Sequence, residues 1–374
     1  MIKLMTIVGT RPEIIRLSVT LEKFSRYFDH TLVHTGQNYD YELNQIFFED
    51  LDLVVPNFYL DAAGADYAET IGNIFKKSLK ILREVRPDAI AILGDTNSAL
   101  VAYIAKREGI PVFHMEAGNR CFNDQVPEEI NRRIVDHVAD VHLTYTDLSR
   151  EYLLREGVDP QTVIKTGSPM AEVLERYEER ILASRVLLNL SLESGGYILF
   201  SCHREENVDS SSNLKAMVAV LDWLSEHYHM PIIFSMHPRT RAKFDRGEYL
   251  LPRGTLVCRP FKFSDYVRLQ LGAKIVLSDS GALTEESAIM RFPAINLRAS
   301  HERPEGMEKG AVPLCGFDID KIRIAIKIIE NNDHVRRSTF EPPADYISKD
   351  FSSVVVNAIL SYFRGTSHVK YRAK

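Results

Sequence analysis

Apolar residues in this chain fall into short unbroken runs, separated by longer stretches in which they recur every three or four positions. Runs of this length bounded by turn residues read as strands buried on both faces, and the three-to-four spacing reads as amphipathic helices. In the first half the runs are Lys3–Val8, His30–His34, Ala89–Leu93, Val112–Met115 and Val141–Thr144. Helical stretches lie near Pro12–Phe28, Tyr67–Val85, Ser98–Arg107 and Glu128–Ala139. The second half repeats the pattern, with strands at Tyr197–Ser201, Ile232–Met236, Thr255–Cys258, Lys274–Leu277 and Ala294–Leu297. Its helices fall at Ser212–His227, Ser264–Leu271, Leu283–Met290 and Ile319–Glu330. Such alternation predicts parallel βαβ units, and hence an α/β chain of two Rossmann-like, doubly wound domains facing a cleft. The turn residues Gly167-Ser-Pro169 suggest the join, giving domains at 1–168 and 169–350, with a polar helical stretch at Met170–Ser184. The segment 351–374 opens with a helix, Phe351–Phe363, that is a candidate to pack back on the first domain.

Length supports this division, since 374 residues suffice for two full cores. A net charge of −5 argues against a general nucleic-acid binder, which needs a basic face. No apolar run approaches a membrane span, and Met1–Val8 is too short and wrongly flanked for a signal peptide. Cys121, Cys202, Cys258 and Cys315 lie far apart, which points to a reducing compartment, the cytoplasm, with no zinc site and no disulfide framework.

Candidate chemistry sits where strands end. Gly9-Thr-Arg-Pro-Glu13 follows the first strand and opens a helix, so its backbone N–H groups and Arg11 suit an anion; a plain turn with a surface arginine is the competing reading. It is not GxGxxG, so no nicotinamide dinucleotide is indicated. Asp95 follows the strand Ala89–Leu93 and serves either as a helix cap or as a base. Glu116 ends the strand Val112–Met115, while Glu128 and Glu129 follow Pro127 at a helix start. A carboxylate at a strand end and others at a helix start suit acid–base work. The alternative is a pair of surface i,i+4 ion pairs, Glu128–Arg132 and Glu129–Arg133, with Ile130, Ile134 and Val138 as the buried stripe. For Glu129 the structural reading is preferred.

In the second half, His203 and Arg204 follow the strand Tyr197–Ser201, and His237 is a weaker case of the same kind. In Ser278-Asp-Ser-Gly-Ala-Leu-Thr-Glu-Glu286, Asp279 or Ser280 can cap the next helix, and Gly281 lets a diphosphate approach the backbone. Glu286 suits a ribose diol and Arg303 the same ligand; the competing reading is an ordinary capped helix with a surface glutamate.

Together these segments resemble the non-hydrolysing UDP-N-acetylglucosamine 2-epimerase family. The matches are Gly9-Thr-Arg-Pro-Glu13, Gly94-Asp-Thr96, Glu116-Ala-Gly118, Pro127-Glu-Glu129 with Asn131-Arg132, His203-Arg204, Asp279-Ser-Gly281 with Glu285-Glu286, and Glu302-Arg-Pro-Glu305. They keep the family's order from residue 1 to about 315. The resemblance implies a GT-B-like fold with a UDP-sugar between the domains, no metal, no cofactor and a homodimer. It also implies a reaction in which UDP and the C2 proton are eliminated to a glycal, and both are then returned. It assigns Asp95, Glu116 and Glu128 to the acid–base set. Arg11 and His203 go to the diphosphate, with His203 assisting departure, and Arg16 and Arg204 count among the substrate-binding residues. Ser280 and Gly281 also contact phosphate, Glu286 the ribose and Arg303 the nucleotide side.

Several positions depart from the family pattern. Arg16 stands for a usual lysine, Gly118-Asn-Arg-Cys121 for Gly-Leu-Arg-Thr, and Gln37-Asn-Tyr39 for the Gln-His-Arg associated with an activating second UDP-sugar. With Lys165-Thr-Gly-Ser-Pro-Met170, they resemble the branch that converts UDP-2-acetamido-2,6-dideoxy-L-talose to UDP-N-acetyl-L-fucosamine for capsule and O-antigen synthesis. The alternatives are a UDP-GlcNAc 2-epimerase forming UDP-ManNAc and a GT-B glycosyltransferase, which needs only one base.

Overall fold

Strands without a polar face need cover on both sides, and the first sheet is built that way. Its strands are β1 (Lys3–Val8), β2 (Asp29–His34), β3 (Phe58–Tyr59), β4 (Ala89–Leu93), β5 (Val112–Met115), β6 (Val141–Thr144) and β7 (Val163–Lys165). All are parallel, in the order β3-β2-β1-β4-β5-β6-β7. The helices are α1 (Arg11–Tyr27), α2 (Tyr41–Asp50), α3 (Tyr67–Val85), α4 (Val101–Arg107), α5 (Pro127–Val138), α6 (Asp147–Arg155) and α7 (Met170–Arg176). The protein is described by a computed structural model covering residues 1–37, 41–245, 247, 249–300, 302–332 and 341–363. Asn38, Tyr39, His301 and the end of the 351–374 segment lie outside the described residues.

α3 shows how the sequence sets an element. Asp66 caps it by accepting the Glu69 N–H, and Thr70, Ile74, Ser78 and Leu82, four apart, form its buried face. Ile74 and Leu82 pack against Met5, Ile7, Ile90 and Ile92 of the sheet. The expected helix Ser98–Arg107 is a tight turn, Asn97–Leu100, running into α4. β3 and β7 were not expected; each is a two- or three-residue edge strand, too short for a pattern.

The second sheet holds β8 (Ile198–Ser201), β9 (Ile232–Ser235), β10 (Thr255–Cys258), β11 (Ile275–Ser278) and β12 (Ala294–Asn296) in the parallel order β10-β9-β8-β11-β12. Its core joins Ile198, Phe200, Phe234 and Leu277 to Leu214, Met217 and Leu221 of the helix Ser211–Tyr228. No described helix is long and apolar enough to cross a membrane.

Two units emerge: Met1–Arg176 with the segment from Asp345, and Tyr177–Ala344. This moves both expected boundaries. The turn at Gly167-Ser-Pro169 lies inside the first unit because the Ser168 N–H bonds the Asp345 carbonyl and α7 packs on α1. The expected helix Met170–Ser184 is two helices, α7 and Glu178–Ala183, broken at Tyr177 where the units divide. Phe351–Tyr362 does pack on α1: the Lys23 Nζ donates to Ser353 Oγ (2.6 Å), and Phe351 meets Tyr145 edge-on at 5.8 Å.

Candidate active site

In a doubly wound sheet, ligands bind beyond the strand ends at the point where strand order turns back. In the first unit that point lies between β1 and β4, and Gly9–Arg11 and Gly94–Asp95 follow those two strands. The β1–α1 turn is not the open anion site its glycine suggested. Both the Gly9 and Thr10 N–H groups donate to Glu13 Oε2 (2.9 and 2.7 Å). The spacing Thr10-Arg-Pro-Glu13 is a capping-box signature, so this was readable in the sequence. A Cβ at Gly9 would lie 2.0 Å from Ser98 Oγ and 2.3 Å from Thr35 Oγ1, so any other residue must displace that hydroxyl pair. Arg11 lies over the Phe47 ring at 5.6 Å and the buried Arg16 over Tyr145 at 5.8 Å.

Glu13 also accepts the Thr96 hydroxyl (2.9 Å), tying this turn to the residue after Asp95. Burial pushes its carboxyl up from 4.5 to about 7, against the pull of its Gly9, Thr10 and Thr96 donors. A carboxyl raised on folding lends stability that is full below about 4.5 and lost as pH rises through about 7. Glu13→Gln is therefore expected to flatten the loss of stability between pH 4.5 and 7. Urea midpoints measured across this range check it, and an unchanged slope assigns the loss elsewhere.

Asp95 and Glu116 sit on neighbouring strand ends, where the Gly94 N–H bonds the Met115 carbonyl. Arg132 of α5 donates from Nε and Nη2 to Asp95 Oδ2 (2.9 and 2.5 Å), and Asn131 donates to the Asp95 carbonyl (3.0 Å). Asp95 is thus a held carboxylate and not a simple cap. Glu116 has φ +64°, a left-handed conformation that a non-glycine residue adopts at a cost. Its Oε1 accepts the Asn119 amide (3.1 Å), and a Cβ at Gly94 would stand 3.6 Å from its Oε2. Glu128 is half-buried on the first turn of α5, three residues before the Asn131 that holds Asp95.

Two readings of α5 need correction. Ile130 and Ile134 are 49% and 43% exposed, so they are not its buried stripe. The inward face carries Glu129, Arg132, Val135 and Asp136. Glu129 is structural and makes the expected i,i+4 pair with Arg133, but its own carboxylate is fully buried rather than at the surface. It accepts the Cys121 and Phe122 N–H groups (3.0 and 3.1 Å) and pairs with Arg132 and Arg133. Burial alone would raise its carboxyl, but the Cys121 N–H and the Arg132 charge bring it below the usual range. Sequence reasoning also missed Asp136. It bonds His114 Nδ1 (2.8 Å) and Arg120 Nη1 (2.7 Å), and His114 Nε2 reaches the Gly94 carbonyl (2.8 Å). This buried network fixes the two strand ends that carry Asp95 and Glu116.

In the second unit the strand order turns back between β8 and β11, followed by Ser201–Arg204 and Ser278–Gly281. Asp279 does not cap the next helix. It points to the β8 loop and accepts the His203, Arg204 and Asn207 N–H groups at 2.9–3.0 Å. Its Oδ1 lies 3.1 Å from His203 Nδ1. Burial opposes its charge, yet the His203 ring and the Asn207 and Arg204 donors hold the carboxyl well below the usual range. A carboxylate only accepts, so Nδ1 carries the hydrogen and Nε2 is turned to other partners. His237 instead caps the helix Pro238–Phe244. Ser280 Oγ accepts the Ala282 N–H (3.3 Å), and Gly281 lies beside Glu302 and Arg204. Glu286 is buried, with Oε2 accepting Gln270 (2.7 Å), and Arg303 Nε donates to Glu285 (3.2 Å).

A family model described as UDP-N-acetylglucosamine 2-epimerase matches residues 21–360. The chain belongs to this family. A UDP-N-acetylglucosamine 2-epimerase of Methanocaldococcus jannaschii is 33% identical over 347 residues, covering 90% of this chain and 95% of its own. The solved structure of that organism's enzyme with UDP-GlcNAc and UDP has a TM-score of 0.89 at 32% identity, over 96% of this chain and 100% of that one. A solved UDP-N-acetylglucosamine 2-epimerase from Rickettsia bellii has a TM-score of 0.90 at 42% identity, over 97% of each chain. The chain is an enzyme with a GT-B-like α/β fold, a non-hydrolysing isomerase that epimerises a UDP-sugar at C2. Epimerases related to it act on more than one sugar. A UDP-2,3-diacetamido-2,3-dideoxy-D-glucuronate 2-epimerase of Pseudomonas aeruginosa is 30% identical over 326 residues, covering 86% of this chain and 90% of its own.

Proposed function

We propose that this epimerase converts UDP-2-acetamido-2,6-dideoxy-L-talose to UDP-N-acetyl-L-fucosamine by elimination and re-addition of UDP. A C2 proton with no adjacent carbonyl is hard to remove alone. Its loss is coupled to departure of the diphosphate: the C2–H pair becomes the C1=C2 bond of a glycal as the C1–O bond breaks. The proton then returns to the opposite face of C2, and the UDP oxygen re-forms its bond to C1. Asp95, Glu116 and Glu128 carry the proton steps. His203, oriented by Asp279, donates from Nε2 to the departing phosphate, with Arg11, Arg16, Arg204, Ser280 and Gly281 as further diphosphate contacts. Glu286 takes the ribose and Arg303 the nucleotide side.

The observation that carries the proton chemistry is Glu116: a left-handed glutamate at a strand end, beside the neighbouring strand end that presents the Arg132-held Asp95. The sugar assignment rests on Gly118-Asn-Arg-Cys121 and Lys165-Thr-Gly-Ser-Pro-Met170. The reading includes a cytoplasmic homodimer supplying capsule or O-antigen synthesis.

Incubation with each UDP-sugar in deuterated water tests it. The expected result is deuterium at C2 of the L-talose derivative, with traces of UDP and free glycal. Epimerisation without deuterium uptake overturns the mechanism, and turnover of UDP-GlcNAc alone overturns the sugar. Sedimentation of the same sample reports the dimer.

A further inference from the structure

Asn119, three residues after Glu116, is almost fully buried. Its surroundings fix which way its amide faces. The Glu116 carboxylate accepts hydrogens, so Nδ2 must face it, at 3.1 Å from Oε1. Oδ1 then faces Ser149 Oγ at 2.9 Å, and that hydroxyl spends its one hydrogen on the amide. Ser149 Oγ in turn accepts the Thr146 hydroxyl (3.1 Å), and Thr146 Oγ1 accepts the Ser149 N–H (3.1 Å) at the start of α6. Every donor in this buried chain runs one way, from the N-terminus of α6 to Glu116, so each bond polarises the next.

The loop carrying Asn119 has little freedom to move. Gly118, at φ +79°, packs so closely on α6 that a Cβ would lie 2.3 Å from the Ser149 carbonyl oxygen. Arg120 Nη1 donates to the Asn119 carbonyl (2.7 Å) while its Nε and Nη2 grip Glu156. A leucine at position 119 would offer no donor, so this hold on Glu116 depends on the amide.

We propose that Asn119 is a positioning residue for Glu116, its amide locked by the Ser149–Thr146 hydroxyl pair so that the carboxylate keeps one orientation at the sugar C2. The inference rests on the reading of Glu116 as a proton-transfer group. The test uses the full-length epimerase with the UDP-sugar it turns over, reading kcat, KM and the rate of deuterium entry at C2. Asn119→Leu is expected to lower kcat and deuterium entry about tenfold, with KM and UDP affinity within about twofold. Ser149→Ala is expected to lower kcat about threefold alone and to have no further effect in the Asn119→Leu background, because it acts only through the amide. A wild-type kcat in Asn119→Leu, or effects that multiply in the double variant, overturn the proposal. Should Asn119→Leu not fold, Ser149→Ala alone decides, and an unchanged kcat overturns it. Glu116→Gln separates the two levels. If that variant keeps full turnover, the reading of Glu116 has failed. If it is inactive while Asn119→Leu is unimpaired, only the present inference falls.

Discussion

Glu116→Gln is expected to lower turnover by about a hundredfold to ten-thousandfold, the range for loss of one positioned acid or base, while UDP binding is kept. The change is close to isosteric. A glutamine oxygen still accepts the Asn119 amide, and the left-handed backbone at residue 116 is no worse for glutamine than for glutamate. What is lost is the capacity to take and return a proton. Asp95→Asn is expected to lose turnover as well, but with lower stability, since the buried Arg132 would keep Glu129 and lose the Asp95 charge. Isothermal titration with UDP and a C2 deuterium-exchange rate separate binding from chemistry. Turnover of Glu116→Gln within threefold of wild type would remove Glu116 from the chemistry.

The second large effect is on stability. Asp136→Asn is expected to cost about 3–5 kcal/mol, the usual penalty for breaking a buried ion pair by removing one member, even though Arg120 keeps Glu156. Asp136 and Arg120 have no side-chain exposure, and Asp136 also holds His114 and the Gly118 N–H. Burial works against the charge of Asp136, but His114 and Arg120 bring its carboxyl down from 3.8 to about 2. Its contribution is therefore present above about 3.8 and lost as pH falls through about 2, so the gap between variant and wild type should close over that range. Urea unfolding at pH 7 measures the cost, and a loss below about 1 kcal/mol, the scale of a surface pair, would mean the network is not holding the loops.

The hydrophobic pattern led to the right architecture because buried parallel strands are written as continuous apolar runs, as in Ala89–Leu93, where every residue is buried. It misled at α5 for a physical reason. Glu129, Arg132 and Asp136 face inward because partners from other elements neutralise them: the Cys121–Phe122 backbone, Asp95, His114 and Arg120. Those partners are up to 37 residues away, and no helical periodicity encodes them. Ile130 and Ile134 are consequently turned outward, against their composition. The candidate site followed the same division. That Asp95, Glu116 and His203 follow strand ends was legible from order, and their assignment to a site came from the resemblance, whereas the groups that hold them, Arg132, Asn119 and Asp279, emerge only from packing. Glu13 was an exception, legible as a capping box and still read as an open turn.

The return of Phe351–Tyr362 to α1 has a consequence for biosynthesis. Phe351, Val355 and Ile359 are buried, so the apolar surface of the first unit that receives them has no cover until nearly the whole described chain has been made. The second unit is one continuous segment and has all its residues earlier. The first unit, though begun first, can therefore complete its core only after every residue of the second has been made, so its apolar face is open to non-native contacts through most of synthesis.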